Sequence, residues 1–351
     1  MNTGISLYLS TAEEKNEEII ARAADAGIRC AFTSLHIPEE GRMNINDAAR
    51  NLLSTCKRYG LELILDVGPD MAEDLGCSSL YDLENWGVTH IRLDDGYSPQ
   101  QAVELSHAFH IVFNASTVSA REIALWEKLG ADLTRFTACH NYYPKPWTGL
   151  SLEHVARINR RLKMHEFQTM AFVPGDETLR GPLYEGLPTI EEHRRSHDIM
   201  KNALELFMDA DCDMVLVGDI DLSENSWTIW ADISAGFVSL PVEMDSRYNY
   251  LAEMIHHDRR DFSDYIFRSV ESRSLSVPGQ ALLEPAQQTE SAVGDIRFSN
   301  SEYKRYQGEL EIARTPLPPD GKINVIGHLK KDALKYLPYL RNDLGVRFVL
   351  K

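Results

Sequence analysis

Five acidic side chains, Asp66, Asp94, Glu177, Glu185 and Asp219, carry the first chemical signal in this chain. Asp66, Asp94, Glu177 and Asp219 stand at or just beyond the end of an apolar run such as "LELILDV", "THIRLD", "QTMAFVP" or "MVLVGDI", and Glu185 lies in the long stretch after the third of these. Paired carboxylates can hydrolyse a glycosidic bond, one donating a proton while the other attacks the sugar or activates water. The same groups suit a divalent cation. One Asp at a strand end is most often a turn former or a helix cap, so the weight rests on their recurrence over several runs. Asp219 with Glu177 is the favoured catalytic pair, and Asp94 with Glu185 is the reserve pair.

Other side chains at the same places suit binding. In "IRLDDG", alternation along a strand puts Arg92 and Asp94 on one face. An inward Arg92 needs a buried partner or an anionic ligand. His36, Asn114, His140 and Asn141 close further apolar runs. The segment "CHNYYPKPWTGLS" (139–151) has more large side chains than a plain turn requires. Its Tyr143 and Trp147 can stack on a sugar ring and its Lys145 can meet an anion. Pro144 and Pro146 stiffen it, and Gly149 with Ser151 supplies a turn and an N-cap. The stretch "VPGDETLRGPLYEGLPTIEEHR" is too long for a routine connection and adds Arg180. Within it, Thr189 and Glu192 have capping-box spacing. His193 and His197 stand i, i+4, but with arginines between them and no third ligand they read as an exposed helix face.

The elements that must position these groups alternate in type. Strand-like runs at 4–10, 30–37, 61–67, 89–94, 110–116, 133–140, 168–174 and 214–220 are separated by amphipathic helical runs, several closing on Gly. Thr11 and Glu14 have the spacing of a capping box at the first helix. Eight βα units fit a closed (β/α)8 barrel, whose sites lie at the C-terminal strand ends. An open doubly wound sheet would bring a Gly-rich loop after its first strand, and "SLYLSTAEE" has no glycine. Past residue 238 short β-type runs and turn signals predict a compact, mostly antiparallel domain over 239–351, with a polar loop over 278–295.

The formal charge of −17 is unlike that of a nucleic-acid binder. An anionic substrate must then be held by local cations, for which Lys145, Arg180, Arg297 and Arg305 are the candidates. The five cysteines are scattered without a CxxC, as in a reducing compartment. No leader or spanning segment is evident, so the expectation is a cytoplasmic protein without membrane or nucleic-acid partners.

The segments "NYYPKPWTGLS", "GPLYEGLPTIEEHR", "IRLDDG" and "IRFSNSEYKRYQGELEI" resemble signature segments of the bacterial 6-phospho-N-acetylmuramidase family. The resemblance runs in order over nearly the whole chain. It implies a TIM-type barrel glycoside hydrolase with a C-terminal cyclophilin-like β domain. It further implies cleavage of MurNAc 6-phosphate–GlcNAc in peptidoglycan recycling, with no cofactor and no metal. A homodimer is compatible with this. Two rival readings are a metal-dependent phosphosugar lyase or isomerase using His36, Asp66 and His140 as ligands, and a non-catalytic sugar-phosphate sensor.

Overall fold

A computed structural model describes residues 1–35, 45–94, 96–286 and 289–351 and divides the chain into two compact units, Met1–Ala235 and Gly236–Lys351. Eight parallel strands close the first unit into a barrel. They are β1 (Asn2–Ser6), β2 (Cys30–Ser34), β3 (Glu62–Val67), β4 (His90–Leu93), β5 (His110–Asn114), β6 (Phe136–Cys139), β7 (Gln168–Val173) and β8 (Met214–Val217). Closure is the pairing of β1 with β8, Gly4 opposite Leu216. All eight expected strands are present. Most stop short of their expected C-terminal ends, because those residues leave the ladder to form the barrel mouth.

Helices α1 (Glu13–Asp25), α2 (Ile45–Tyr59), α3 (Met71–Asp74), α4 (Pro99–Leu105), α5 (Ala120–Lys128), α6 (Leu152–Lys163), α7 (His193–Ser196), α8 (Ile199–Leu204) and α9 (Glu224–Ser234) join the strands. Ser98, Ser119, Ser151 and Ser223 each cap a helix by accepting a backbone N–H three residues on, which satisfies one orphan donor of the first turn. Thr11 does not cap: α1 starts after Ala12 with no side-chain cap.

The barrel interior is layered. Phe32, Ile64, Val112, Cys139, Met170, Phe172 and Leu216 form an apolar cluster. Two residues on from Phe32 and Ile64, toward the mouth, stand Ser34 and Asp66. Register aligns Ser34 with Asp66 and Asp66 with Arg92, so a polar layer caps the apolar one.

The second unit is a seven-stranded sheet. Its order is β10 (Ile255–His257), β15 (Gly345–Leu350), β9 (Phe237–Met244), β14 (Ile323–Leu329), β12 (Asp295–Ser299), β13 (Leu310–Ala313) and β11 (Ile266–Arg268). All pairings are antiparallel except β15 with β9. The unit boundary precedes the expected 238/239 division because Phe237 and Val238 already pair with β15. In the stretch expected as a polar loop, Leu282 and Leu283 are buried.

Candidate active site

The pocket at the barrel mouth has a volume of about 290 Å³ and is floored by the polar layer. Arg92 Nη1 donates to Asp66 Oδ1 at 2.6 Å, and its Nη2 donates to Asn141 Oδ1. Asp94 Oδ1 lies 3.8 Å from the same Nη1. The two aspartate oxygens are therefore no more than 6.4 Å apart. Burial raises the Asp66 carboxyl above its ordinary value, opposed by the Arg92 charge and by hydrogen bonds from Arg92 and Ser34. Asp94 is more open, its side chain 38% exposed. The alternation argument for Arg92 and Asp94 holds, and the inward arginine has its buried partner.

The walls come from three loops. Tyr142 packs edge-on against Phe32 and Phe172, which roots the segment after β6 in the barrel core. The Arg180 guanidinium lies 4.7 Å over the Tyr8 ring, and Tyr8 donates its hydroxyl to Gly218 O. Asp219 holds the loop that carries Arg180. Its Oδ1 accepts from Arg180 N at 2.8 Å, and its Oδ2 accepts from Gly175 N and Leu187 N, both at 2.9 Å. Burial raises the Asp219 carboxyl while these three amides pull it down. With both oxygens occupied and only 1% of the residue exposed, Asp219 is an organiser of the loop after β7.

The segment 139–151 is laced to that same loop. Tyr143 N donates to Pro188 O, Arg194 donates to Tyr143 O, and Leu150 bridges Ile190. Gly149 N donates to Glu191 Oε2, and a Cβ at Gly149 would stand 2.9 Å from Glu191 N. Ser151 is the cap of α6, as its position suggests. Trp147 is 76% exposed, with the Arg195 guanidinium 4.4 Å from its ring and Glu191 bonded to Arg195. Lys145 is exposed on the turn between them, its carbonyl accepting from Thr148.

Of the expected site residues, Arg92, Asp94, His140, Asn141 and Arg180 line the pocket. Glu177 and Glu185 are exposed and do not line it, and Glu185 borders a neighbouring groove with Trp147 and Tyr184. Asn114 accepts from Ser116 N and lines another neighbouring groove. Asn159 donates its amide hydrogens to Ala210 O and Cys212 Sγ, so its Oδ1 accepts from His140 Nε2–H. His140 Nδ1 then accepts from the Ser116 hydroxyl. Burial pushes this imidazole down to about 4, so it is a neutral tie between loop and helix. His36 lies outside the described residues.

The metal-dependent rival does not assemble from the residues in view. Asp66 is bonded to Arg92, and both His140 nitrogens are occupied. Among the described residues no group of three His, Cys, Asp or Glu side chains is placed to hold a metal ion. His193 is buried against Glu205 at 2.9 Å and His197 is a left-handed cap, so they do not form an exposed helix face. Thr189 is no cap either, since its hydroxyl donates to Asn141 O and accepts from Phe172 N. Arg297 is buried in the second unit with Glu311, whereas Arg305 is exposed in a groove.

Asp66 stood among the strand-end carboxylates and the rival metal ligands but in neither catalytic pair, and Ser34, Tyr8 and Tyr142 were not among the expected site residues. The two-residue step from Phe32 to Ser34 and from Ile64 to Asp66 was the available signal.

A family model described as 6-phospho-N-acetylmuramidase, N-terminal, matches residues 3–231, and one described as 6-phospho-N-acetylmuramidase, C-terminal, matches residues 238–349. Among solved structures, a conserved Enterococcus faecalis protein with an unknown function is 30% identical, with a TM-score of 0.75 over 100% of this chain and 97% of that one. An uncharacterized B. cereus protein is 24% identical with a TM-score of 0.74 over 99% of each chain, a likeness of fold. No curated protein matches.

Proposed function

This chain belongs to the 6-phospho-N-acetylmuramidase family and is a glycoside hydrolase, and from that premise we propose that its barrel mouth cleaves MurNAc 6-phosphate–GlcNAc into the two sugars. The observation that carries the reading is the Asp66–Arg92–Asp94 constellation, with two carboxylate oxygens within 6.4 Å of each other in one pocket. Inverting enzymes keep their carboxyls about 6.5–9.5 Å apart to admit a water, and retaining enzymes about 5–5.5 Å. The bound lies between these ranges, and the reading taken is retention, with direct attack on the sugar by a carboxylate.

In this reading Asp66 is the nucleophile. Arg92 and Ser34 stabilise its ionised form against burial. Asp94, open on one side, protonates the leaving GlcNAc oxygen as Asp66 bonds to the anomeric carbon. Asp94 then takes a proton from water as that water attacks the same carbon and Asp66 departs. Arg180, the second cation lining the pocket, holds the 6-phosphate. Trp147 offers its exposed face to a sugar ring. The reading sets the reaction in the cytoplasm, in the recycling of peptidoglycan. All five cysteines are unpaired, which suits a reducing compartment.

The test measures hydrolysis of MurNAc–GlcNAc with and without the 6-phosphate, following the anomeric form of the first product by NMR. A strong preference for the phosphorylated substrate and retention are expected. Equal rates would remove the phosphate from the reading, and an inverted product would remove Asp66 as nucleophile.

A further inference from the structure

The second unit holds a groove of about 610 Å³ whose charged lining is four arginines, Arg259, Arg260, Arg273 and Arg305, and one carboxylate, Asp261. Arg259 pairs within the groove with Asp261, at 2.9 Å. Among the described residues no carboxylate pairs with Arg260, Arg273 or Arg305. Three uncompensated guanidinium groups on one groove of an acidic protein repel one another unless an anion joins them.

The arginines are also held in place. Arg305 Nη2 donates to Tyr306 Oη at 2.6 Å, with its guanidinium carbon 4.8 Å from that ring. Arg273 lies 5.2 Å from the same ring and donates to Arg305 O at 3.1 Å. Two like charges are thus drawn onto one tyrosine. Lys304, immediately before Arg305, has φ 56° and ψ −116°, a conformation that side-chain-bearing residues rarely accept. Backbone strain of this kind persists where the surroundings enforce it and gathers at binding sites.

We propose that this groove binds the phosphate monoester of a small sugar or polyol. Several converging guanidinium forks exceed what one carboxylate can accept, whereas a dianionic phosphate offers three oxygens to them. The volume suits a single small ligand, and the tyrosine ring beside the arginines provides a surface for its carbon skeleton. The inference stands on the second unit alone. It shares no residue with the barrel pocket and does not depend on the barrel reaction.

The experiment titrates the full chain with glucose 6-phosphate, inorganic phosphate and glucose. It reads calorimetric affinity together with hydrogen exchange at 255–275 and 301–308. Glucose 6-phosphate is expected to protect both segments, inorganic phosphate to protect them more weakly, and glucose to leave them unchanged. Arg260→Gln, Arg273→Gln and Arg305→Gln should each weaken binding there about tenfold, the scale of one charge-assisted hydrogen bond. All three positions are exposed, and an unchanged melting temperature shows that the variants fold. Arg305→Lys, which keeps the charge but loses the fork, should recover only part of the affinity. Protection confined to barrel segments, or unaltered affinity in the triple variant, overturns the proposal. So does equal protection by heparin, which would mean unselective attraction for polyanions. Those outcomes leave the barrel reading intact, and a wild-type protein inert toward the disaccharide would remove that reading while leaving the groove standing.

Discussion

Each unit buries an arginine and a carboxylate directly opposite one another on adjacent strands. In the barrel, Asp66 on β3 faces Arg92 on β4. In the second unit, Arg297 on β12 faces Glu311 on β13. The barrel pair is hydrogen-bonded at 2.6 Å, with Asn141 on the other Nη and Ser34 on the carboxylate. The second pair is 3.4 Å apart; the buried Nε is without a hydrogen-bond partner in both arginines, but of the two carboxylates only Glu311 leaves a buried oxygen, Oε2, without one. Burial pushes the Glu311 carboxyl up to about 7, against the pull of Arg297 and with Glu309 adding to the rise. Burial raises both carboxyls; at Asp66 it is opposed by the Arg92 charge and by hydrogen bonds from Arg92 and Ser34, whereas at Glu311 it is opposed by the charges of Arg297 and Arg268 without a hydrogen bond.

The largest effect that can break this comparison is on catalysis. Asp94→Asn should lower kcat about 10²- to 10⁴-fold. Its stability should stay within about 1 kcal/mol of wild type, as for other partly exposed positions. Steady-state kinetics and thermal melting check both statements. Activity near wild type would empty the barrel constellation of its chemistry.

The next effect is on stability. Arg92→Met leaves Asp66 buried and unpaired, at a cost of about 3–5 kcal/mol. Arg297→Met should cost clearly less, because the bond it removes is poorly formed. Hydrogen exchange measured separately for the two units is the suitable readout, since a two-unit chain need not melt in one step. Equal losses would refute the distinction between the pairs.

The two units should also answer pH with opposite signs. Glu311 keeps its proton in the folded unit up to about 7, whereas the unfolded chain releases it near 4.5. The folded state therefore binds more protons between these values, and the second unit loses stability as pH rises through them. His140 runs the other way. It stays neutral in the barrel down to about 4, against 6.5 unfolded, so the barrel loses stability as pH falls through that window. Each effect is about 3 kcal/mol at most. Glu311→Gln should flatten the response of the second unit only. A response that survives this substitution places its origin elsewhere.

The smallest effect sharpens the reading of the rim. Trp147→Ala should raise KM about fivefold, the equivalent of about 1 kcal/mol, if a sugar stacks on the indole. Little change in melting is expected, because the ring is 76% exposed. An unaltered KM would leave Trp147 without a role in substrate binding.

Much of this was legible in the chain before any coordinates. Strand-like runs alternating with helical ones point to parallel βα units, and eight of them without a Gly-rich loop after the first strand favour a closed barrel over an open sheet. The alternation rule also placed Arg92 and Asp94 on one face, and the density of rings in 139–151 marked a segment with contacts to make. These are local properties, carried by periodicity within a few residues.

What the local pattern did not decide was which carboxylate meets which partner. Asp66 and Arg92 are 26 positions apart and become neighbours through strand register. Asp219 is an aspartate at a strand end like the others, yet three amides from a loop some forty residues earlier in the chain occupy its oxygens. Arg297 and Arg305 stand eight positions apart in one β-rich stretch. One is 6% exposed beside Glu311, and the other is open on a groove with Arg273. Residue type and spacing determined that carboxylates and arginines gather at the barrel mouth and in the second unit. Only the tertiary structure decided which of them are satisfied and which remain available to a ligand, because hydrogen bonding depends on distances of a few tenths of an ångström between segments far apart in sequence.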